Sequence, residues 1–274
     1  IVNMSKIDAL IAKDFKRFEV ENNHFNSKHV CLVTGAGGSI GSEISKQLLD
    51  NNIKKLILIE SSEFALFTIN TELNKIKDDK DLGTEIVPLL QDVGDMVMLE
   101  HNLSNYHFDF VYHAAAYKHV NMLELNIASG LRNNIFGTRN LLSFLSGKFN
   151  SFTLISTDKA VEPTNYMGLS KRICEHVVLS HTKKNKEKLN IVRFGNVLHS
   201  SGSVIPIFEE QIKNGGPVTV TDPEATRFFM TIPEAITLVI ASSSLGGSGN
   251  IYVLDMGDPV KILDLAIHMI KIAG

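Results

Sequence analysis

From residue 29 onward the chain alternates short apolar runs with longer stretches of helical periodicity. Residues 29–34, 55–60 and 85–90 read as strands, and the stretches 39–51 and 63–77 between them read as helices. The alternation continues with a strand at 108–113, a helix around 128–145, a strand at 151–156, a helix over 165–179 and a strand at 190–194. Strand and helix in regular alternation predict an α/β fold with a doubly wound parallel sheet. Ahead of it, Ile7, Leu10, Ile11 and Phe15 fall at helical spacing, so residues 1–28 are expected to be an amphipathic lead-in closing on the polar stretch 22–28. After residue 195 the pattern changes. Gly202, Pro206, Gly215, Gly216, Pro217, Pro223 and Pro233 interrupt it, which predicts that residues 196–274 mainly form a smaller lobe, with segments returning to the core of residues 29–195.

Composition narrows the function classes. A chain of 274 residues with 44% apolar and 21% charged side chains is long and apolar enough for one large domain or a domain with a small lobe, which excludes a disordered or collagen-like chain. The net charge of -3 provides no basic field for a phosphate backbone, so nucleic acid is not an expected partner and any anion must be bound locally. Charge clusters at 75–81 and 183–188 read as solvated loops or helix ends. Cys31 and Cys174 are too few for a disulfide scaffold and lack zinc-site spacing, so a reducing compartment is expected and no metal. The longest apolar runs, 56–59 and 235–241, fall far short of the roughly 18 residues that cross a bilayer. The chain opens on Ile1 rather than Met, so its beginning is expected to be a junction with something else.

Between the first strand and first helix stand Gly35, Gly38 and Gly41 in the spacing G-x-x-G-x-x-G, with Ser39 and Ile40 inside it. Glycine lets the backbone turn sharply and approach a pyrophosphate, whose charge then faces free N–H groups at a helix start. The pattern predicts the dinucleotide site of a Rossmann fold, the alternative being a flexible loop. Glu60 ends the second strand about 20 residues past Gly41, where a carboxylate accepts from the adenosine ribose and repels a 2′-phosphate; NAD is therefore expected over NADP. Asp92, at the end of the third strand, either accepts from the adenine amino group or caps a helix.

With that fingerprint, the segments His113-Ala114-Ala115-Ala116-Tyr117-Lys118-His119-Val120 and Asn134-Ile135-Phe136-Gly137-Thr138 resemble the extended short-chain dehydrogenase/reductase superfamily. The segments Ser156-Thr157-Asp158-Lys159-Ala160-Val161, Ser170-Lys171-Arg172, Arg193-Phe194-Gly195-Asn196-Val197 and Thr226-Arg227-Phe228-Phe229-Met230-Thr231 sharpen the match. They resemble the UDP-N-acetylglucosamine 4,6-dehydratases of bacterial polysaccharide and protein glycosylation, in the subgroup whose larger members carry membrane segments ahead of the catalytic domain. The resemblance runs from about residue 29 to the end. It implies that Val93, Ala114, Ala115, Ala116 and Asn134 join the glycines around NAD. It also implies a cytoplasmic location, free or as the catalytic part of a longer membrane-anchored protein, and a downstream aminotransferase linked only metabolically. Assembly into a homo-oligomer is left open.

One position departs from the superfamily pattern. The usual pair is Tyr-x-x-x-Lys, and four residues on a helix put phenol and ammonium about 40° apart on one face. Here Lys171 is matched by Met167, while Tyr166 stands one residue too early, about 140° from Lys171. A thioether neither donates nor takes a proton in catalysis, so either the enzyme is inactive or its acid and base lie elsewhere. The resembled subgroup also has Met here, which favours relocation to Thr157, Asp158 and Lys159 at the carboxyl end of a strand. By analogy, Thr157 would hold the C4 oxygen, Asp158 would protonate the leaving C6 hydroxyl, Lys159 would take the C5 proton, and Lys171 would hold the nicotinamide ribose. The group that deprotonates the C4 hydroxyl is not assigned. The subgroup is associated with retained configuration at C5.

For the substrate, the resemblance places Asn196 and Arg227 at the UDP pyrophosphate, Ser203, Val204 and Ile205 along the uracil, and Lys118 near sugar or phosphate. Arg193 is either a phosphate ligand or a structural ion-pair partner. His199 replaces the glycine usual in Val-Leu-Gly-Ser and reads as a steric variation. Two rivals remain: a nucleotide-sugar 4-epimerase, which needs no acid and base at C5 and C6, and a non-catalytic NAD-binding protein.

Overall fold

The computed structural model describes residues 25–182, 187–198 and 203–273. The expected helix at Ile7 to Phe15 and the loop position His199 lie outside them. The first six strands are β1 (Val30–Thr34), β2 (Lys55–Glu60), β3 (Glu85–Leu90), β4 (Phe108–His113), β5 (Phe149–Thr157) and β6 (Lys188–Phe194); β7 (Asn196–Val197), β8 (Thr226–Arg227), β9 (Phe229–Met230), β10 (Asn250–Val253) and β11 (Val260–Lys261) follow. A seven-stranded sheet runs β10-β6-β5-β4-β1-β2-β3. Its pairings β1 with β2, β1 with β4, β2 with β3, β4 with β5 and β6 with β10 are parallel. A sheet covered on both faces needs strands apolar along both, and Leu56, Ile57, Leu58 and Ile59 of β2 are all buried. This is the expected Rossmann-like α/β architecture.

The helices are α1 (Ser39–Asp50), α2 (Glu63–Asp79), α3 (Met96–Leu103), α4 (Val120–Leu125), α5 (Ile127–Leu131), α6 (Gly137–Leu145), α7 (Tyr166–Thr182), α8 (Val204–Lys213), α9 (Ile232–Ser242) and α10 (Ile262–Ala273). α2 shows how each docks: Leu66, Ile69 and Leu73 form one buried stripe, and the Ser62 hydroxyl caps its start by accepting from Ala65 N. The single helix expected around 128–145 is three pieces in series, α5, a π-turn over Arg132–Phe136, and α6.

Contacts divide the chain into two units. Among the described residues, one takes in 25–193 and Ile236–Val253, which includes the whole seven-stranded sheet apart from Phe194. The other takes in Phe194–Ala235 and 254–273; its core is Leu198, Ile205, Phe208, Phe229, Leu265, Ala266 and Met269, with β7 beside β9 and β8 beside β11. Among the described residues, no helix is long and apolar enough to cross a membrane.

Candidate active site

β1 has β2 on one side and β4 on the other, so the strand order reverses there and a crevice opens at the carboxyl ends. Gly35 follows β1 with φ +65°, and a Cβ on it would stand 2.7 Å from the backbone N and Cα of Ala115, which follows β4. Only glycine allows that approach. Beside it lies a cleft of about 260 Å³ whose lining includes Gly35, Gly38, Glu60, Asp92, Val93, Ala114, Ala115 and Ala116. Ser39, Ile40 and Gly41 form the first turn of α1, and its N-cap Gly38 gives no side-chain capping bond, which leaves the helix start open to an anion. Glu60 Oε2 accepts from Gly37 N at 3.0 Å, and Oε1 accepts from Ser61 N at 2.9 Å and Ser62 N at 3.0 Å. An ionised carboxylate offers about four acceptor sites, so capacity for a ribose diol remains. A glycine cradle and an anchored carboxylate suit a dinucleotide with a free 2′-hydroxyl.

Asp92 Oδ1 accepts from Gly94 N at 2.7 Å, and it is Asp95 that caps α3, accepting from Val97 N and Met98 N at 3.0 and 3.1 Å. The helix-cap reading of Asp92 is thereby corrected. Asn134, in the π-turn and 1% exposed, accepts from Tyr117 N at 2.8 Å and donates to Tyr117 O at 3.0 Å and Ser170 Oγ at 2.9 Å. Its side chain clamps the segment after β4 to the helix that carries Lys171.

His113 was not singled out by the sequence pattern, yet it lies directly beneath the crevice. Its Nδ1 is 2.7 Å from Thr34 Oγ1 and its Nε2 2.8 Å from Thr138 Oγ1, so one imidazole stitches β1, β4 and α6. Burial, and secondarily the charge of Lys171, lower its pKa from 6.5 to about 3. It is a neutral bridge. A histidine at a strand end carries no periodic signal, and its partners lie far along the chain.

The reacting groups expected from sequence converge on α7 and the end of β5. Lys171 is buried and makes no hydrogen bond or ion pair among the described residues; burial lowers its proton affinity, and Cys174 and Glu175 partly restore it. Met167 is buried one turn earlier, whereas Tyr166 is 38% exposed and its N–H donates to Glu124 Oε1 at 2.9 Å. Thr157, Asp158 and Lys159 do come together. Thr157 Oγ1 donates to Asp158 Oδ1 at 2.9 Å, and Lys159 Nζ donates to the same oxygen at 3.0 Å. A Cβ on Gly168 would run into the Lys159 carbonyl, so α7 packs directly on this turn. Arg193 is an ion-pair partner: its Nη2 lies 2.6 Å from Glu175 Oε2 inside the larger unit. Lys118 is exposed and has no hydrogen bond or ion pair among the described residues.

The expected substrate residues, Lys118 apart, belong to the smaller unit. Asn196 opens β7 and its N–H donates to Phe228 O at 3.2 Å, while Arg227 ends β8, exposed, with Nη1 donating to Thr226 O at 2.7 Å. Ser203 precedes α8 without capping it, and its Oγ is buried with no partner among the described residues; Val204 is the first residue of that helix, and Ile205 belongs to the core.

A profile of the family described as "Polysaccharide biosynthesis protein" matches residues 31–274. The capsular polysaccharide biosynthesis protein CapD of Staphylococcus aureus is 49% identical over 245 residues, covering 89% of this chain and 40% of CapD. The chain thus spans about two fifths of that relative's length. The UDP-glucose 4-epimerase of Rickettsia canadensis is 32% identical over 227 residues, 81% of this chain and 64% of that protein. Among solved structures, Pen from Bacillus thuringiensis superposes with a TM-score of 0.82 at 31% identity, covering 91% of this chain and 75% of Pen.

Proposed function

The chain belongs to the polysaccharide biosynthesis protein family, and on that footing we propose that it is an NAD-dependent enzyme that modifies a nucleotide sugar, specifically by 4,6-dehydration of UDP-N-acetylglucosamine with retention at C5. The observation that carries the reading is the hydrogen-bonded cluster of Thr157, Asp158 and Lys159 beside a helix whose expected phenol is replaced by Met167. The dinucleotide, when bound, supplies a reversible hydride acceptor, so hydrogen removed from C4 can return at C6. Gly35, Gly38, Ser39, Ile40 and Gly41 would receive its pyrophosphate, Glu60 its adenosine ribose, and Lys171 its nicotinamide ribose.

The proton balance explains why no tyrosine is needed. Over a turnover the C4 hydroxyl loses a proton and the departing C6 oxygen gains one. Thr157 Oγ1 already donates to Asp158 Oδ1, so it can accept from the C4 hydroxyl while passing its own proton on. Asp158 then holds the proton that the C6 oxygen requires. As the amine, Lys159 would take the C5 proton and deliver a proton back to the same face, which would give retention. The cycle returns Asp158 and Lys159 to the states in which they began, and it consumes no proton. Asn196 and Arg227 would hold the pyrophosphate of UDP, Ser203 and Val204 the uracil, and Lys118 the sugar or a phosphate oxygen.

Similarity to the Rickettsia epimerase favours a second reading, C4 epimerisation, which would leave Asp158 and Lys159 without work at C6 and C5. Cofactor stoichiometry tests whether hydride is returned: NAD in trace amounts should support complete conversion of UDP-N-acetylglucosamine. Net reduction of added NAD in step with product would overturn both readings.

A further inference from the structure

A deeply buried ion pair lies beside the Thr157–Lys159 turn. Glu175, 1% exposed, stands one helical turn past Lys171 on α7 and receives the guanidinium fork of Arg193 on β6, Nε to Oε1 at 2.8 Å and Nη2 to Oε2 at 2.6 Å. Its Oε1 also accepts from Ser156 Oγ at 2.6 Å, and Ser156 immediately precedes Thr157 on β5. Arg172, partly buried, approaches Oε2 at 3.5 Å. Burying two charges is costly, and apolar side chains of the same volume often hold a fold equally well. Global stability is therefore a poor explanation for an acid and base in this place. What the pair does is tie the ends of two strands to the helix that carries Lys171.

We propose that Glu175 and Arg193 are positioning residues that, through the Ser156 hydroxyl, fix the Thr157–Lys159 turn against α7. The inference rests on the reading of Thr157, Asp158 and Lys159 as the reacting groups. Burial pushes the Glu175 carboxyl up, but hydrogen bonds from Arg193 and Ser156 outweigh it and hold its pKa below the ordinary value. A carboxylate kept ionised is a stronger acceptor for the serine hydroxyl than a neutral group, and it keeps the three-way joint closed.

Two variants test this. Ser156→Ala leaves the ion pair whole and cuts its tie to β5; E175M/R193M replaces the pair with apolar side chains. Amide hydrogen exchange, NAD binding and turnover of UDP-N-acetylglucosamine are measured on each. For Ser156→Ala the expectation is a wild-type dissociation constant for NAD, exchange at residues 157–161 faster by about tenfold, and kcat lower by about tenfold to a hundredfold at little-changed KM. A folded E175M/R193M protein should show the same accelerated exchange and reduced kcat. Wild-type exchange and kcat in Ser156→Ala would overturn the proposal, whether or not the double variant folds. Should the wild-type protein convert no nucleotide sugar, the functional reading fails, while the exchange data still decide whether the turn is braced.

Discussion

Met167 stands where a phenol would ordinarily act, and the chemistry is assigned to a turn that a strand delivers nearby. Lys159→Ala should still allow oxidation at C4, so mixing it with UDP-N-acetylglucosamine should give reduced-nicotinamide absorbance, little dehydrated product and suppressed C5 deuterium exchange; normal C5 exchange would contradict the assignment. Thr157→Val removes the proton relay and should abolish that absorbance as well, and a variant that still accumulates it shows that the C4 proton leaves by another route. Tyr166→Phe should change kcat by no more than a few fold, because Tyr166 is partly exposed and one position out of register with Lys171; a loss beyond about a hundredfold, roughly 2.7 kcal/mol, would contradict that. The residues proposed to react could be nominated from the sequence because they form one contiguous motif after a strand that resembles a known family's. Asn134 and His113 were not legible in their structural roles, because each is defined by partners far along the chain, such as Ser170 and Thr34.

Elements were legible where apolar period and length agreed. The strands at 55–60, 85–90 and 108–113 appear as expected: their runs are bounded by polar turns, and 55–60 and 108–113 are largely buried in the sheet while 85–90 forms its half-exposed edge. β10, only Asn250–Val253, was too short to distinguish from the glycine- and serine-rich stretch before it. The π-turn in the expected 128–145 helix leaves no mark on the 3.6 period, yet it carries the Asn134 clamp. Gly168→Ala should force α7 off the Lys159 carbonyl and lower kcat by about tenfold or more while the sheet stays folded, with circular dichroism and turnover read together. The His113 bridge gives a stability expectation. Its folded pKa is about 3 against 6.5, so the unfolded chain takes up a proton that the folded chain refuses. Its stabilising contribution should be complete above about pH 6.5 and fall by up to about 1.4 kcal/mol per pH unit as the pH drops toward 3. Denaturant unfolding of His113→Asn should show a shallower acid slope than the wild type, and equal slopes would contradict the bridge.

At the scale of the molecule, a glycine-lined cleft at the switch point and the Thr157–Lys159 turn proposed to handle protons lie at the carboxyl ends of one sheet, while residues expected to hold UDP lie on a separate, smaller unit. The smaller unit begins at Phe194, and glycines and prolines interrupt the chain after residue 195. Glu60 should make NAD bind more tightly than NADP, and equal affinities would show that its carboxylate does not face the ribose. The most direct measurement is proton NMR of UDP-N-acetylglucosamine incubated with the protein and NAD in deuterated water. The expected product is a 4-keto-6-deoxy sugar that keeps the D-xylo configuration and carries deuterium at C5. A C4 epimer that retains its C6 hydroxyl, or an initial L-arabino product, would contradict the reading.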